Sequence, residues 1–316
     1  MKHLNSITGA FIFMSFAISF SACKKDETPQ TTDCTNSKSY SVTNGLTCNQ
    51  TPTGSSQYSA TDNGITRSIR ANGIANHQVG QFPNAHNPNT ISAQNHSFTV
   101  TSSPAVASTI TPVFNETFQQ TGQGRIGYQF GIIKSGVTLD PVAAEFWENP
   151  NTGEKNYTWA KEALSINNNL GVDCNNAHVQ PNGNYHYHGT PQNAVANADA
   201  NNHSELLGYA ADGFPIYYKY VYATASDANS GIKAMTSSYQ IKMGCRTGDG
   251  LRAPDGAYDG TYVPDYEYVA GLGDLDECNG RTGVTPEYQG GTYYYVITDG
   301  FPSIPRCFMG TPDASF

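Results

Sequence analysis

Positive charge is scarce in this chain: lysine and arginine together number 17 against 26 aspartates and glutamates, and only 14% of residues are charged at all. A net charge of −9 without a basic run argues against a nucleic-acid partner, whose phosphates need clustered Lys and Arg. Long apolar stretches are missing too. The one mostly apolar run, Ile7 to Phe20, is short for a bilayer span of about 20 residues and is interrupted by Thr and Ser. No Gly-rich phosphate loop follows a strand pattern and no G-x-S-x-G elbow occurs, so nucleotide-phosphate and serine-hydrolase readings fall away. Helix signals are few: Pro141 to Trp147 with Asp140 as N-cap, and Tyr157 to Leu164.

What is present begins with the N-terminus. Met1-Lys2, the apolar run and then Ser21-Ala22-Cys23 resemble a bacterial lipoprotein signal, which implies a signal peptide over 1–22 and lipidation of Cys23. The expected location is the cell envelope, as an outer-membrane lipoprotein facing the periplasm or the surface, touching membrane only through its lipid. Lys24-Lys25-Asp26-Glu27 resembles the charged tag of surface-exposed lipoproteins. Six further cysteines in an oxidising compartment allow three disulfides, and Cys34 with Cys48 is the expected local pair.

Residues 23–66, rich in Thr, Ser, Asn, Gln and Gly, read as a polar tether. From Arg67 onward, short β-branched and aromatic runs alternate with Gly, Pro and Asn clusters. That texture predicts a mainly β domain, β-rich with few short helices. An internal repeat is expected inside it. Asp173-Cys174-Asn175, Gly183 to Thr190 and Asp212-Gly213-Phe214-Pro215 are followed, in the same order, by Glu277-Cys278-Asn279, Gly291 to Thr298 and Asp299-Gly300-Phe301-Pro302. The reading is a single large domain with an internal duplication, its first half ending near 240 and its second covering 241–312. It makes Cys174 and Cys278 counterparts, and it sets Tyr294 and Val296 where His186 and His188 stand.

Three of the eight histidines crowd one turn, in Ala177-His178-Val179-Gln180-Pro181-Asn182-Gly183-Asn184-Tyr185-His186-Tyr187-His188-Gly189. In an extended strand His186 and His188 share a face and the tyrosines take the other. A three-residue loop at Pro181-Asn182-Gly183 pairs His178 with His186 and brings a third imidazole to that face; a two-residue loop sends it to the opposite one. Three imidazoles there can close on a divalent ion and leave a position open. Zn2+ is the first choice and Cu2+ the second, since imidazole suits both. His203 is a further candidate ligand, and Asp173, Glu205 and Asp212 are candidates to orient ligating imidazoles. The alternative is a hydrogen-bonded aromatic and His cluster without metal. Asp249-Gly250, Asp255-Gly256, Asp259-Gly260, Asp265 and Asp274 to Glu277 lack EF-hand spacing, so ordinary turn chemistry outweighs a Ca2+ site.

The chain resembles the YHYH-domain proteins through Asn175 to Gly189, Gly208 to Tyr217 and Leu275 to Gly280, over about residues 67–312. The resemblance implies domain limits and carries no reaction with it. Hydrolytic or hydration chemistry on a metal therefore stands beside a non-catalytic module that binds a small molecule, a glycan or another protein.

Overall fold

Strand-forming runs such as Thr292-Tyr-Tyr-Tyr-Val-Ile297 place β-branched and aromatic side chains on both faces, a pattern for a sheet covered on each side. The structure, a computed structural model, describes Cys34 and residues 45–316. These fall in one compact unit, Asp33–Phe316. The signal segment 1–22 and Cys23 lie outside the described residues. The fold is mainly β, and the α-helix among the described residues is Glu116–Thr121. No helix of the described residues is long and apolar enough to cross a membrane.

An eight-stranded mixed sheet organises the molecule. From edge to edge its strands are Gly280–Gly283, Thr292–Ile297, Pro215–Tyr218, Gly208–Ala210, Gly131–Ile133, Thr138–Leu139, Tyr185–Tyr187 and Ala177–Val179. Two neighbouring pairs are parallel, Thr138–Leu139 with Tyr185–Tyr187 and Pro215–Tyr218 with Thr292–Ile297; the others are antiparallel. The main core packs Tyr185, Tyr187, Tyr293 and Tyr295 with Phe130, Phe214 and Phe308. A three-stranded sheet of Tyr58–Asp62, Thr66–Ala71 and His96–Thr101 adds Ile69, Phe98 and Val100 to it.

The order reads alike from both edges. Gly131–Ile133 meets Gly208–Ala210 antiparallel at the centre, so the two halves of the sheet repeat one another across that pairing. Their loops repeat as well. Asp173 Oδ1 accepts from the N–H groups of Asn175 and Ala177, and Asp276 Oδ1 from those of Cys278 and Gly280. Asn176 and Asn279 both take a left-handed φ, 55° and 54°. Tyr185 donates to Asp173 and Tyr293 to Asp276. The geometric counterparts are thus Asp173 and Asp276, Asn176 and Asn279, which shifts the expected alignment by one residue. Cys278 then matches Asn175 rather than Cys174. The halves divide between Tyr187 and Gly208, not near 240.

Three other expectations are corrected. Phe146–Glu148 and Lys155–Ala160 form an antiparallel hairpin where helices were expected over Pro141 to Trp147 and Tyr157 to Leu164. Propensity over segments that short is weak and tertiary pairing overrides it. Their backbone is also engaged elsewhere, Asp140 N–H donating to Tyr187 O and Lys161 N–H to Glu145 O. The helix that forms has its own signals, Asn115 capping Thr117 and Phe118, and Gly122 at φ 66°. The expected Cys34–Cys48 loop gives way to Cys34–Cys245, Cys48–Cys174 and Cys278–Cys307. The cause is that residues 45–66 are not a free tether. Leu46 bridges Asp173, Gln50 bridges Val79, and Tyr58–Asp62 is a strand, which carries Cys48 to Cys174.

The repeated loop supports a stability prediction. Asn279 is fully buried and its Nδ2 donates to the carbonyls of Val296 and Pro302, whereas Asn176 donates to Thr190 O. Asn279→Ala should cost about 2–4 kcal/mol and Asn176→Ala about 1–2 kcal/mol, from lost hydrogen bonds and a left-handed φ without Asn. Denaturant midpoints check the order. Equal costs would show that the buried bonds of Asn279 do not matter.

Candidate metal centre

The loop sets the register. Gln180 N–H donates to Asn184 O and Gly183 N–H to Gln180 O, closing the three-residue turn with Gly183 at φ 85°. Gly is required there, because a Cβ would collide with the Ser92 side chain. Val179 then lies opposite Tyr185, His178 opposite His186 and Ala177 opposite Tyr187. His178, His186 and His188 share one face and their side chains converge.

The contacts are specific. His188 Nε2 lies 3.0 Å from His186 Nε2 and 3.0 Å from His178 Nε2. The three ligand atoms sit within 4.8 Å of one another. On the outer side, His178 Nδ1 faces Leu170 O at 3.1 Å and His186 Nδ1 faces Asn184 O at 3.2 Å. A carbonyl only accepts, so both Nδ1 atoms carry the proton and both Nε2 atoms present lone pairs. The Asp140 carbonyl favours a proton on His188, but no acceptor meets its Nδ1 at good hydrogen-bond geometry.

Such a trio is frustrated as a purely hydrogen-bonded cluster. A proton on His188 Nε2 satisfies one neighbouring lone pair and leaves the other facing nitrogen. A cation satisfies all three at once. Nitrogens bound tetrahedrally at Zn–N distances stand about 3.3 Å apart, so the two 3.0 Å edges open by a few tenths of an ångström while His178 and His186 draw together around the ion.

Electrostatics keep the rings neutral. Burial, then the neighbouring His178, pushes His186 down to about 3. Burial also drives His188 far below its usual value, aided by His178, His186 and Arg306, and lowers His178. His186 and His188 are 1% and 2% exposed, and His178 is half-buried, so any approach comes past His178.

The other expected site residues lie elsewhere. His203 packs against Tyr217, Tyr222 and Tyr294 and is not in the trio. Asp173 accepts from Tyr185 and Asp212 from Tyr295, both on the tyrosine side of the sheet, so neither orients an imidazole through a hydrogen bond. The alternation that gathers the histidines turns Tyr185 to the opposite face, where it holds Asp173. Glu205 lines a cleft with His203 and Tyr218. His77 bonds Tyr187 Oη at 2.6 Å. The acidic loop is occupied by its own cation: Arg246 donates to Asp265 and Asp259 and to the Asp255 carbonyl. Sequence reasoning missed the carbonyls of Leu170 and Asn184, because a main-chain acceptor leaves no residue-type signature. It also missed Asp140 and Arg306 beside His188.

A β-rich domain holding three convergent imidazoles on one strand pair is the class that fold and site define. The chain belongs to the YHYH protein family, whose model matches residues 97–310. No curated protein and no solved structure matches it.

Acid stability follows from the burial of these rings. A histidine whose folded pKa lies below its usual 6.5 is protonated first in the unfolded chain. Its contribution is complete above pH 6.5 and is lost as pH falls toward the folded value, about 3 for His186. Asp140, pushed up to about 7 by burial, works in the opposite sense, so the histidine term must be isolated. In metal-free protein, the stability of wild type relative to His186→Gln should fall steadily from pH 6.5 toward 3. A pH-independent difference would refute the buried neutral imidazole.

Proposed function

We propose that the protein is an exported, lipid-anchored YHYH protein of the cell envelope that binds one divalent ion through His178, His186 and His188. Zn2+ is the first candidate and Cu2+ the second, both suited to three imidazole nitrogens. The observation that carries this reading is the convergence of three Nε2 atoms whose outer nitrogens, in two of the three rings, are held by carbonyls. The repeated half of the sheet supports it. There the same positions are Arg281, Tyr294 and Val296, and the face is filled by an apolar cluster of Tyr217, Tyr294, Val296 and Leu275. Packing therefore does not call for imidazoles on this face, and three desolvated imidazoles cost more than an apolar filling.

An ion bound there supplies Lewis acidity and an acidified water at its open position, the basis for hydrolytic or hydration chemistry. The chain's own part is to hold the trio in fixed tautomers and to leave half-buried His178 as the approach. A second reading, a structural or binding module without turnover, is favoured by the near-complete burial of His186 and His188.

Protein purified without a His tag should carry about one ion per chain by elemental analysis, and the His186→Ala/His188→Ala variant none. Metal at a hundredfold excess over Kd should add about 2.7 kcal/mol of stability, a Tm rise of about 5–10 °C. Equal metal content in the two preparations refutes the site. Chelator-sensitive turnover in a hydrolase panel identifies the enzyme, and its absence from metal-loaded protein supports the module.

A further inference from the structure

Two tryptophans occur in the chain, and their surroundings differ. Trp159 packs edge-on against Tyr262, with ring centroids 5.7 Å apart. Trp147 is half-buried, yet its indole has no ring contact and no hydrogen bond among the described residues. An indole carries a large apolar ring and an N–H that ordinarily finds an acceptor, so this one has both ring area and a donor to offer.

The fold builds a cleft around it. Trp147 pairs with Asn156 across the hairpin, and the side-chain N–H groups of Asn156 and Asn149 donate to the carbonyls of Arg252 and Leu251, at 2.7 and 2.5 Å. Those two bonds fasten the Leu251–Arg252 loop beside the hairpin. Together with Gln119 and Gln120 of the helix Glu116–Thr121, hairpin and loop enclose about 440 Å³, within the size range of small-ligand sites.

The lining is amphipathic. Trp147 and Leu251, the latter 50% exposed, supply apolar surface. Beside them stand the side-chain amides of Gln119 and Gln120, which make no hydrogen bond among the described residues, the Glu154 carboxylate, and the cations Lys155 and Arg252. Charge is matched there: Lys155 lies 3.6 Å from Glu148 and Arg252 4.0 Å from Asp249. A phosphate-rich ligand needs uncompensated cations and a lipid chain needs a continuous apolar wall, and neither describes this cleft. A pyranose ring has the complementary make-up. Its C–H face packs on an indole, and each hydroxyl of its rim both donates and accepts, as amide, carboxylate and cationic N–H groups require.

We infer that this cleft binds a short neutral oligosaccharide, with one pyranose ring stacked on Trp147 and its hydroxyls taken by Gln119, Gln120 and Glu154. Asn149 and Asn156 fix the loop before the sugar arrives, so little ordering opposes binding. The cleft shares no residue with the histidine trio and does not depend on the metal.

Fluorescence titration of the full-length Trp159→Phe protein, in which Trp147 is the sole indole, tests it with cellotriose, laminaritriose, maltotriose and triacetylchitotriose. At least one should move Trp147 emission to shorter wavelength and saturate, with a Kd below about 1 mM. In calorimetry with that sugar, Trp147→Ala should bind about tenfold more weakly than wild type, and Gln119→Ala/Gln120→Ala about fivefold, each with the wild-type melting profile. No saturable change with any of these sugars up to about 10 mM overturns the proposal, and so does a Trp147→Ala protein that binds as wild type does. Tighter binding of trigalacturonate than of every neutral sugar overturns the neutral assignment.

Discussion

The pairing of Ala177–Val179 with Tyr185–Tyr187 is the constraint on which the site depends. A strand pair offers two registers that differ by one residue and by the face each side chain takes. Closing the turn over Pro181-Asn182-Gly183 selects the register in which three imidazoles meet. The alternation that gathers the histidines sends Tyr185 and Tyr187 into the main core, where Tyr185 meets Asp173 and Tyr187 meets Ser135 and His77. One local choice therefore decides both the packing of the core and the chemistry of the opposite face.

The repeated half separates architecture from chemistry. Tyr293 and Tyr295 reproduce the tyrosine side, Tyr293 with the same kind of carboxylate partner as Tyr185, whereas Tyr295 bonds Asp212 where Tyr187 bonds Ser135 and His77. The other side differs in kind. Arg281 pairs with Tyr294 where His178 pairs with His186. One scaffold thus holds an apolar filling in one half and a polar, metal-competent cluster in the other, so the histidines are not needed to build the sheet.

The sequence made the strand texture and the face-sharing of His186 and His188 legible, because both follow from local alternation. The loop type was legible for the same reason, Pro and Gly each having a use in the turn. What was not legible depends on contacts between distant segments. Cys48 reaches Cys174 because Leu46 and Gln50 lie along the domain, which spacing alone does not reveal. The hairpin at Phe146–Ala160 looked helical because the two expected segments, seven and eight residues long, carry apolar and capping residues compatible with either state. Asp173 and Asp212 were read as partners of the histidines because both are near them in the motif order. A carboxylate's face is set by three-dimensional pairing, and here the tyrosines claim both.

Ala177–Val179 is also an edge strand, like Gly280–Gly283 at the far side of the sheet, so its register is held from one side only. A slip there would turn His178 into the core and leave two imidazoles behind. The chain opposes this at several points. Asn87 and Asn89 both donate side-chain N–H to the Val179 carbonyl, at 3.0 and 2.8 Å, blocking the open edge where another strand would pair. Upstream, the Cys48–Cys174 bridge fixes the loop that feeds the strand, and Asn176 accepts from His188 N–H on the far side. His178 is the most exposed of the three rings, yet its edge strand is restrained at both ends. That combination suits a ligand that must admit an ion past itself yet return to the same place, since preorganised donors lose less entropy on binding. The polar segments outside the motif, which look like loop filler in the sequence, thus hold the third ligand in register.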